Sequence, residues 1–350
     1  MDRQRSKFWR FLASTTLAAL VTGPVCHAQS GPTHQGTLKP SAQRVVLDTD
    51  IGDDIDDAFA LALALSSPEV KLMGVVTAWG DSGLRARLAE RFLCETGEAN
   101  IPVFAGMPTV SKTVFSQREW AQASSESKQP DSGAGIDFML NTIRRYPGQI
   151  TLIAIAPLSN VGALIDKDPA TFRKLKKVVM MGGSIRRGYD YLGQPADKPS
   201  SEYNIQMDVS SANKLLASGV PVFMLPLDST QLKLDAAKRA RLFNRKTPLT
   251  GVLSQLYSEW SAVTKRRTPV LFDAMAVAYD VDPKLCFMTP MRLHVDRAGF
   301  TRVVDGTPNV NVCLKSNSGE FFSFYIPRIL DAKNRAKASS SLCTKGLPGK

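Results

Sequence analysis

Val45-Val46-Leu47-Asp48-Thr49-Asp50-Ile51-Gly52-Asp53-Asp54-Ile55-Asp56-Asp57 is the stretch that decides the fold: a short apolar run closing in six carboxylates. Val45 to Leu47 read as a buried strand, Gly52 permits a tight turn, and Ala58-Phe59-Ala60-Leu61-Ala62-Leu63-Ala64-Leu65 reads as an apolar helix. The acids therefore stand where strand gives way to helix, beyond the carboxyl end of a strand, where open α/β sheets bind ligands. Such crowding is costly without a cation. Aspartates with no Cys or His among them suit Ca²⁺ or Mg²⁺ rather than Zn²⁺. An acid-rich helix start, favoured by the macrodipole, would account for Asp53 and Asp54. It leaves Asp48 and Asp50, which alternate on the preceding strand, without explanation.

Outward from this stretch, the N-terminus carries Arg3, Arg5, Lys7 and Arg10 ahead of the apolar run Phe11 to Val21. That is a secretory signal pattern with cleavage expected after Ala28, so export to a periplasmic or secreted location is expected. The run is shorter than the roughly 20 residues that cross a bilayer, so no membrane association is expected after cleavage. Residues 1–28 are read as signal peptide, 29–43 as a disordered leader, 44–334 as the single domain and 335–350 as a flexible tail.

The formal net charge is +12. Even so, no Lys/Arg run interleaved with aromatics marks a nucleic-acid surface, and none is expected to bind. Five cysteines include no close C-x-x-C pair, which leaves zinc unsupported, and Cys286 with Cys313 is the first pairing to test in an exported chain.

Beyond the first helix, strands are read at Val70–Thr77, Ile150–Pro157, Lys177–Gly183 and Val220–Asp228, with helices between, the spacing of a mostly parallel sheet covered by helices. Ser159 or Asn160 is expected to cap the helix after Pro157. The polar segment Thr109–Gly135 shows no convincing helix or strand, and loops of that length are often lids. After Pro283 a β-hairpin around Arg297-Ala298-Gly299-Phe300 and a terminal helix from Phe321 to Asn334 complete the fold or a contact between copies.

The ordered set Asp48-Thr49-Asp50-Ile51-Gly52 with Asp56-Asp57-Ala58, Ala156-Pro157-Leu158-Ser159-Asn160, Val179-Met180-Met181-Gly182-Gly183, Glu202-Tyr203-Asn204 and Phe272-Asp273-Ala274 resembles the Ca²⁺-dependent nucleoside hydrolases, the inosine-uridine nucleoside N-ribohydrolases. The likeness covers nearly all of the chain after its leader. It implies Asp50, Asp57 and Asp273 as Ca²⁺ ligands together with the main-chain carbonyl of Ile155. It implies Asp56 and Asn204 on the ribose hydroxyls, Glu202 on the 5′ side of the sugar and Met181 beneath the ring. The expected partner is a small-molecule nucleoside or riboside, and Asp50 is the candidate base that takes a proton from water. The expected reaction releases ribose and a free base through an oxocarbenium-like state.

Departures from the family bear on substrate choice. The turn between Gly52 and Asp56 is two residues longer than in many members, which makes Asp54 an alternative sugar contact. Asp81 stands where members carry Asn after the second strand. Phe272 stands where well-known members have a His that protonates the leaving base, and the chain has only His27, His34 and His294. Tyr203 and the Lys265-Arg266-Arg267 segment are the substitutes in view. Two other classes fit fragments of the pattern: an exported riboside-binding protein without hydrolysis, and an Asp-x-Asp phosphatase, which leaves Asp56, Asp57 and Asp273 unexplained.

Overall fold

Strand and helix alternate from Gln43 onward in the computed structural model, which describes residues 42–123, 133–190 and 196–332. The expected signal peptide, all but the end of the leader and the tail lie outside the described residues. The strands are β1 (Gln43–Thr49), β2 (Val70–Thr77), β3 (Val103–Ala105), β4 (Ile150–Ala154), β5 (Lys177–Met181) and β6 (Val222–Leu225). After them come β7 (Cys286–Met291), β8 (Leu293–Val295), β9 (Thr301–Val303) and β10 (Val310–Ser316).

The first helices are α1 (Asp56–Ser66), α2 (Ser82–Glu95), α3 (Arg118–Gln122), α4 (Ala134–Arg145), α5 (Ser159–Lys167) and α6 (Pro169–Phe172). Next are α7 (Tyr203–Met207), α8 (Val209–Leu216), α9 (Leu227–Thr230) and α10 (Ala236–Phe243). The last are α11 (Pro248–Thr264), α12 (Ala274–Val281) and α13 (Ser318–Leu330).

Eight strands form one sheet in the order β3-β2-β1-β4-β5-β6-β10-β7. All neighbours in it are parallel except β10 and β7. From β1 the chain steps to β2 and β3 on one side, then returns to β4 on the other and continues outward. The sheet thus reverses direction of growth between β1 and β4, and a crevice opens at such a switch point. Both faces are covered, as parallel sheets require. Val45, Leu47, Val179 and Met181 face one apolar cluster, while Val46, Val178 and Met180 face the other. Helix α1 is apolar on all sides and buried from Asp56 to Ala64, which is why its Ala/Leu alternation shows no polar stripe.

The late hairpin forms as read, with β8 antiparallel to β9. Cys286 and Cys313 are disulfide-bonded, with their α-carbons 5.9 Å apart, and tie β7 to β10. One reading needs correction. The Thr109–Gly135 segment contains α3, a five-residue helix fixed by tertiary contacts rather than propensity. Its Trp120 indole N–H donates to Gln255 at 3.1 Å, and Arg91 lies 4.1 Å above the ring. Among the described residues no helix is long and apolar enough to cross a membrane.

Candidate active site

The turn from Asp50 to Ile55 is tied down from three directions. Gly52 holds a φ of +126°, and a Cβ there would meet the Phe115 ring at 2.3 Å, so no other residue fits. From the segment before α3, the Ser116 hydroxyl donates to the Asp53 carbonyl at 2.7 Å and the Gln117 amide to that of Asp54 at 2.7 Å. From α2, the wholly buried Arg85 guanidinium donates to the carbonyls of Asp50, Ile51 and Trp79 and to the Asp53 carboxylate at 2.7 Å. The third tie comes from Arg266, just past α11, whose Nη1 lies 3.1 Å from Asp54 Oδ2.

This turn delivers Asp56 and Asp57 into the first turn of α1, which packs against α12. Asp273 is the residue before α12, and its carboxylate makes no capping bond, so it is not spent on the helix. Asp56, Asp57 and Asp273 are buried, and one oxygen from each lies within 4.8 Å of the others. Asp56 and Asp273 stand close enough for their like charges to repel, which a proton or a cation between them would relieve. Burial, then repulsion by Asp54, pushes the Asp56 carboxyl up to about 8. Burial followed by neighbouring acids also raises Asp50, Asp57 and Asp273. Thr49 steadies Asp57 with a 2.5 Å hydrogen bond. Buried oxygen donors that repel one another this strongly fit a hard divalent cation, which would relieve the repulsion outright. The tightest acidic group contains Asp56 where the family likeness puts Asp50; Asp50 stands beside it, and of its acidic neighbours Asp57 repels it most.

Asp50, Asp54, Asp56, Asp57 and Asp273 line one cleft of about 710 Å³, and so do Ile155, Met181, Glu202 and Asn204. Ile155 and Met181 arrive at the carboxyl ends of β4 and β5, whose register sets Ala154 beside both Asp48 and Met180. Glu202 is the N-cap of α7: its carboxylate accepts from the amides of Gly183 at 2.8 Å, Asn204 at 3.0 Å and Ile205 at 3.1 Å. Burial still raises its pKa. Asn204 is therefore not the capping residue, and its amide donates to the Met181 carbonyl at 3.2 Å.

Asp81 does not line the cleft. It is exposed and caps α2 by accepting from Leu84 N at 2.9 Å, because the chain turns outward after Gly80. Asn160 does not cap α5 either. Its buried amide donates to Asp48 at 2.6 Å and accepts from Met107 N at 2.8 Å, cross-linking three loops behind the acids. Desolvation raises Asp48 to about 7 despite that bond.

Arg85 and Asp53 were not singled out from the sequence. The signal was there: Arg85 stands in line with Leu88, Ala89 and Phe92 on the apolar stripe of α2, where a charge implies a buried partner. Trp260, Arg266, Phe272, Tyr203 and Phe300 line the same cleft. Tyr189 meets the Phe272 ring edge-on at 6.1 Å.

A carboxylate-floored crevice at the switch point of a mostly parallel sheet is the kind of place where an α/β enzyme binds its ligand. The chain belongs to the inosine-uridine preferring nucleoside hydrolase family, whose model matches residues 45–323. That family is metal-dependent, and the buried acidic group is where this chain has the donors for it. An uncharacterized protein of Schizosaccharomyces pombe is 33% identical over 63% of this chain and 73% of its own length. The pyrimidine-specific ribonucleoside hydrolase RihB of Escherichia coli is 30% identical over 54% of this chain, a match spanning 60% of that enzyme. Among solved structures, a purine-preferring ribonucleoside hydrolase from Gardnerella vaginalis shares the fold, with a TM-score of 0.71 at 22% identity over 83% of this chain and 99% of that one.

Proposed function

We propose that this chain hydrolyses the N-glycosidic bond of a ribonucleoside, or a related N-riboside, to ribose and a free base, with Ca²⁺ as its ion. One observation carries the reading: carboxylates 217 positions apart in sequence, Asp56 and Asp273, meet in a cleft that also holds Glu202 and Asn204. Asp57 and Asp273 would hold the ion with Asp50 and the Ile155 carbonyl, and Asp56 stands close enough to act on the ion and on a ribose hydroxyl together. Held by these residues, Ca²⁺ would supply Lewis-acid chemistry toward the sugar hydroxyls and the attacking water.

The protein's own groups do the rest. Asp50 accepts the water's proton as its oxygen bonds to the anomeric carbon. The surrounding carboxylates stabilise positive charge on the sugar. Glu202, fixed by three backbone amides and by the Tyr189 side chain, stands on the 5′ side of the sugar. With its nitrogen engaged by Met181, Asn204 presents its carbonyl oxygen to a ribose hydroxyl. Met181 packs below the ring. Export guided by residues 1–28 belongs to the same proposal and places the activity outside the cytoplasm.

Riboside binding without hydrolysis has one observation in its favour: among the described residues no histidine lines the cleft. A reducing-sugar assay across purine, pyrimidine and nicotinamide ribosides, with and without chelator, decides between them. Ribose release that stops with chelator and falls about a thousandfold or more in Asp50→Ala supports hydrolysis. Activity indifferent to both ends the proposed mechanism.

A further inference from the structure

We propose that Arg266 is the group that meets the departing base, supplying by fixed positive charge what an imidazole would supply by proton transfer. This rests on the hydrolase reading above. When the C1′–N bond breaks, its electron pair leaves with the base nitrogen, and the sugar carbon takes the oxygen of water, whose proton goes to a carboxylate. The base then carries negative charge until solvent protonates it. A cation beside it lowers the barrier to that separation.

The cleft holds one cation among many acids: Arg266 is the only Lys, Arg or His lining the cavity among the described residues. Its position is set from both sides. Asp54, in the turn before α1, holds Nη1 at 3.1 Å. The guanidinium carbon lies 5.3 Å from the centre of the Trp260 ring. Lys265 ends α11 in the left-handed conformation, φ 60°, and that sharp stop turns the next residue into the cleft.

Trp260 adds a second donor to the same wall. It is wholly buried, and its indole N–H has no hydrogen-bond partner among the described residues. A buried donor left so is costly unless an acceptor arrives, and a nucleobase is rich in acceptors. Tyr203, the other candidate, has its hydroxyl 2.8 Å from Thr113 Oγ1 and is pushed by burial to hold its proton more tightly.

The test compares two leaving groups on the full chain. A nucleoside such as inosine or uridine expels a poor leaving group, whereas p-nitrophenyl β-D-ribofuranoside expels a phenolate that needs little help. Arg266→Gln should lose about 100-fold in kcat/KM on the nucleoside, carried by kcat rather than KM, and about tenfold less than that on the p-nitrophenyl riboside. Arg266→Lys, which keeps the charge, should recover part of the nucleoside rate. It also serves if Arg266→Gln does not fold, since its nucleoside-to-phenyl rate ratio should still fall below wild type. Equal losses on both substrates, or none on the nucleoside, overturn the proposal while leaving the hydrolase reading intact. Wild-type protein that releases ribose from neither substrate overturns both.

Discussion

Stripping the ion from this protein should cost more stability the higher the pH. In the unfolded chain an aspartate titrates near 3.9, whereas burial and Asp54 raise Asp56 from 3.8 to about 8 in the folded, ion-free cleft. Between pH 5 and pH 8 the unfolded chain has therefore shed this proton while the folded one keeps it. The folded state binds more protons, so stability falls as pH rises, and the loss is complete once pH exceeds the folded value. At about 1.4 kcal/mol per pH unit, three units amount to about 4 kcal/mol from this one carboxyl. That is an upper figure, since water entering the cleft relaxes the burial. Asp50, Asp57 and Asp273 shift in the same direction and add to it. At roughly 2–4 °C per kcal/mol, the melting temperature in chelator should drop by about 8 °C or more across the window.

In calcium the carboxylates are neutralised in place, and the melting temperature should stay nearly level over the same range. Thermal melts followed by circular dichroism at pH 5, 6, 7 and 8, in calcium and in chelator, read this directly. Asp57→Asn should melt higher than wild type in chelator at pH 8 and should no longer respond to calcium. A chelated wild type whose melting temperature is flat or rises from pH 5 to 8 refutes the electrostatic account of the cleft.

Removing one of the two gripped hydroxyls should matter as much as removing a ligand: 2′-deoxyribonucleosides should show kcat/KM lower by about 100-fold or more in the same ribose-release assay. Asp81→Ala should cost about 1 kcal/mol in urea unfolding through loss of the α2 cap and leave kcat/KM within about threefold of wild type, because the side chain is outside the cleft. Arg85→Gln strands the Asp53 carboxylate in a buried site and should cost about 3–5 kcal/mol in the same unfolding experiment. Arg85→Lys should restore little of it, since a single ammonium cannot reach the Asp50, Ile51 and Trp79 carbonyls together.

What the chain announces about itself is unevenly distributed. The parallel sheet was legible because strands buried on both faces read as short unbroken runs such as Val178-Val179-Met180-Met181, recurring with helical segments between them. Those acids were legible because carboxylates on an apolar strand contradict its burial. Asp273 was legible only through the family likeness, since an aspartate before an Ala-rich helix looks like a cap. The structure shows that it makes no capping bond. Asn160 and Asp81 went the other way. Each is a polar residue beside a helix start, and local pattern cannot tell the one that caps from the one that reaches across to Asp48, because the difference is made by loops distant in sequence. Helix α3 was hidden for a like reason: its five residues are held by α2 and α11, not by their own propensities.

The extended turn unites these observations. It carries Asp53 and Asp54 beside acids that repel one another, and each of the two faces an arginine from another element. Asp53 takes Arg85 at 2.7 Å in the interior, and Asp54 takes Arg266 at 3.1 Å at the cleft wall. The two pairs differ in what they can do. With side chains 1% and 8% exposed, the inner pair is dry and fixes the backbone on which Asp50 rides. At 32% and 31% exposure the outer pair is solvent-screened and worth little to stability, so its effect is to be looked for in the cleft it borders. Asp54 sets the guanidinium proposed to meet the departing base, so that substituting it should move the two kinds of leaving group apart in the same direction as substituting Arg266.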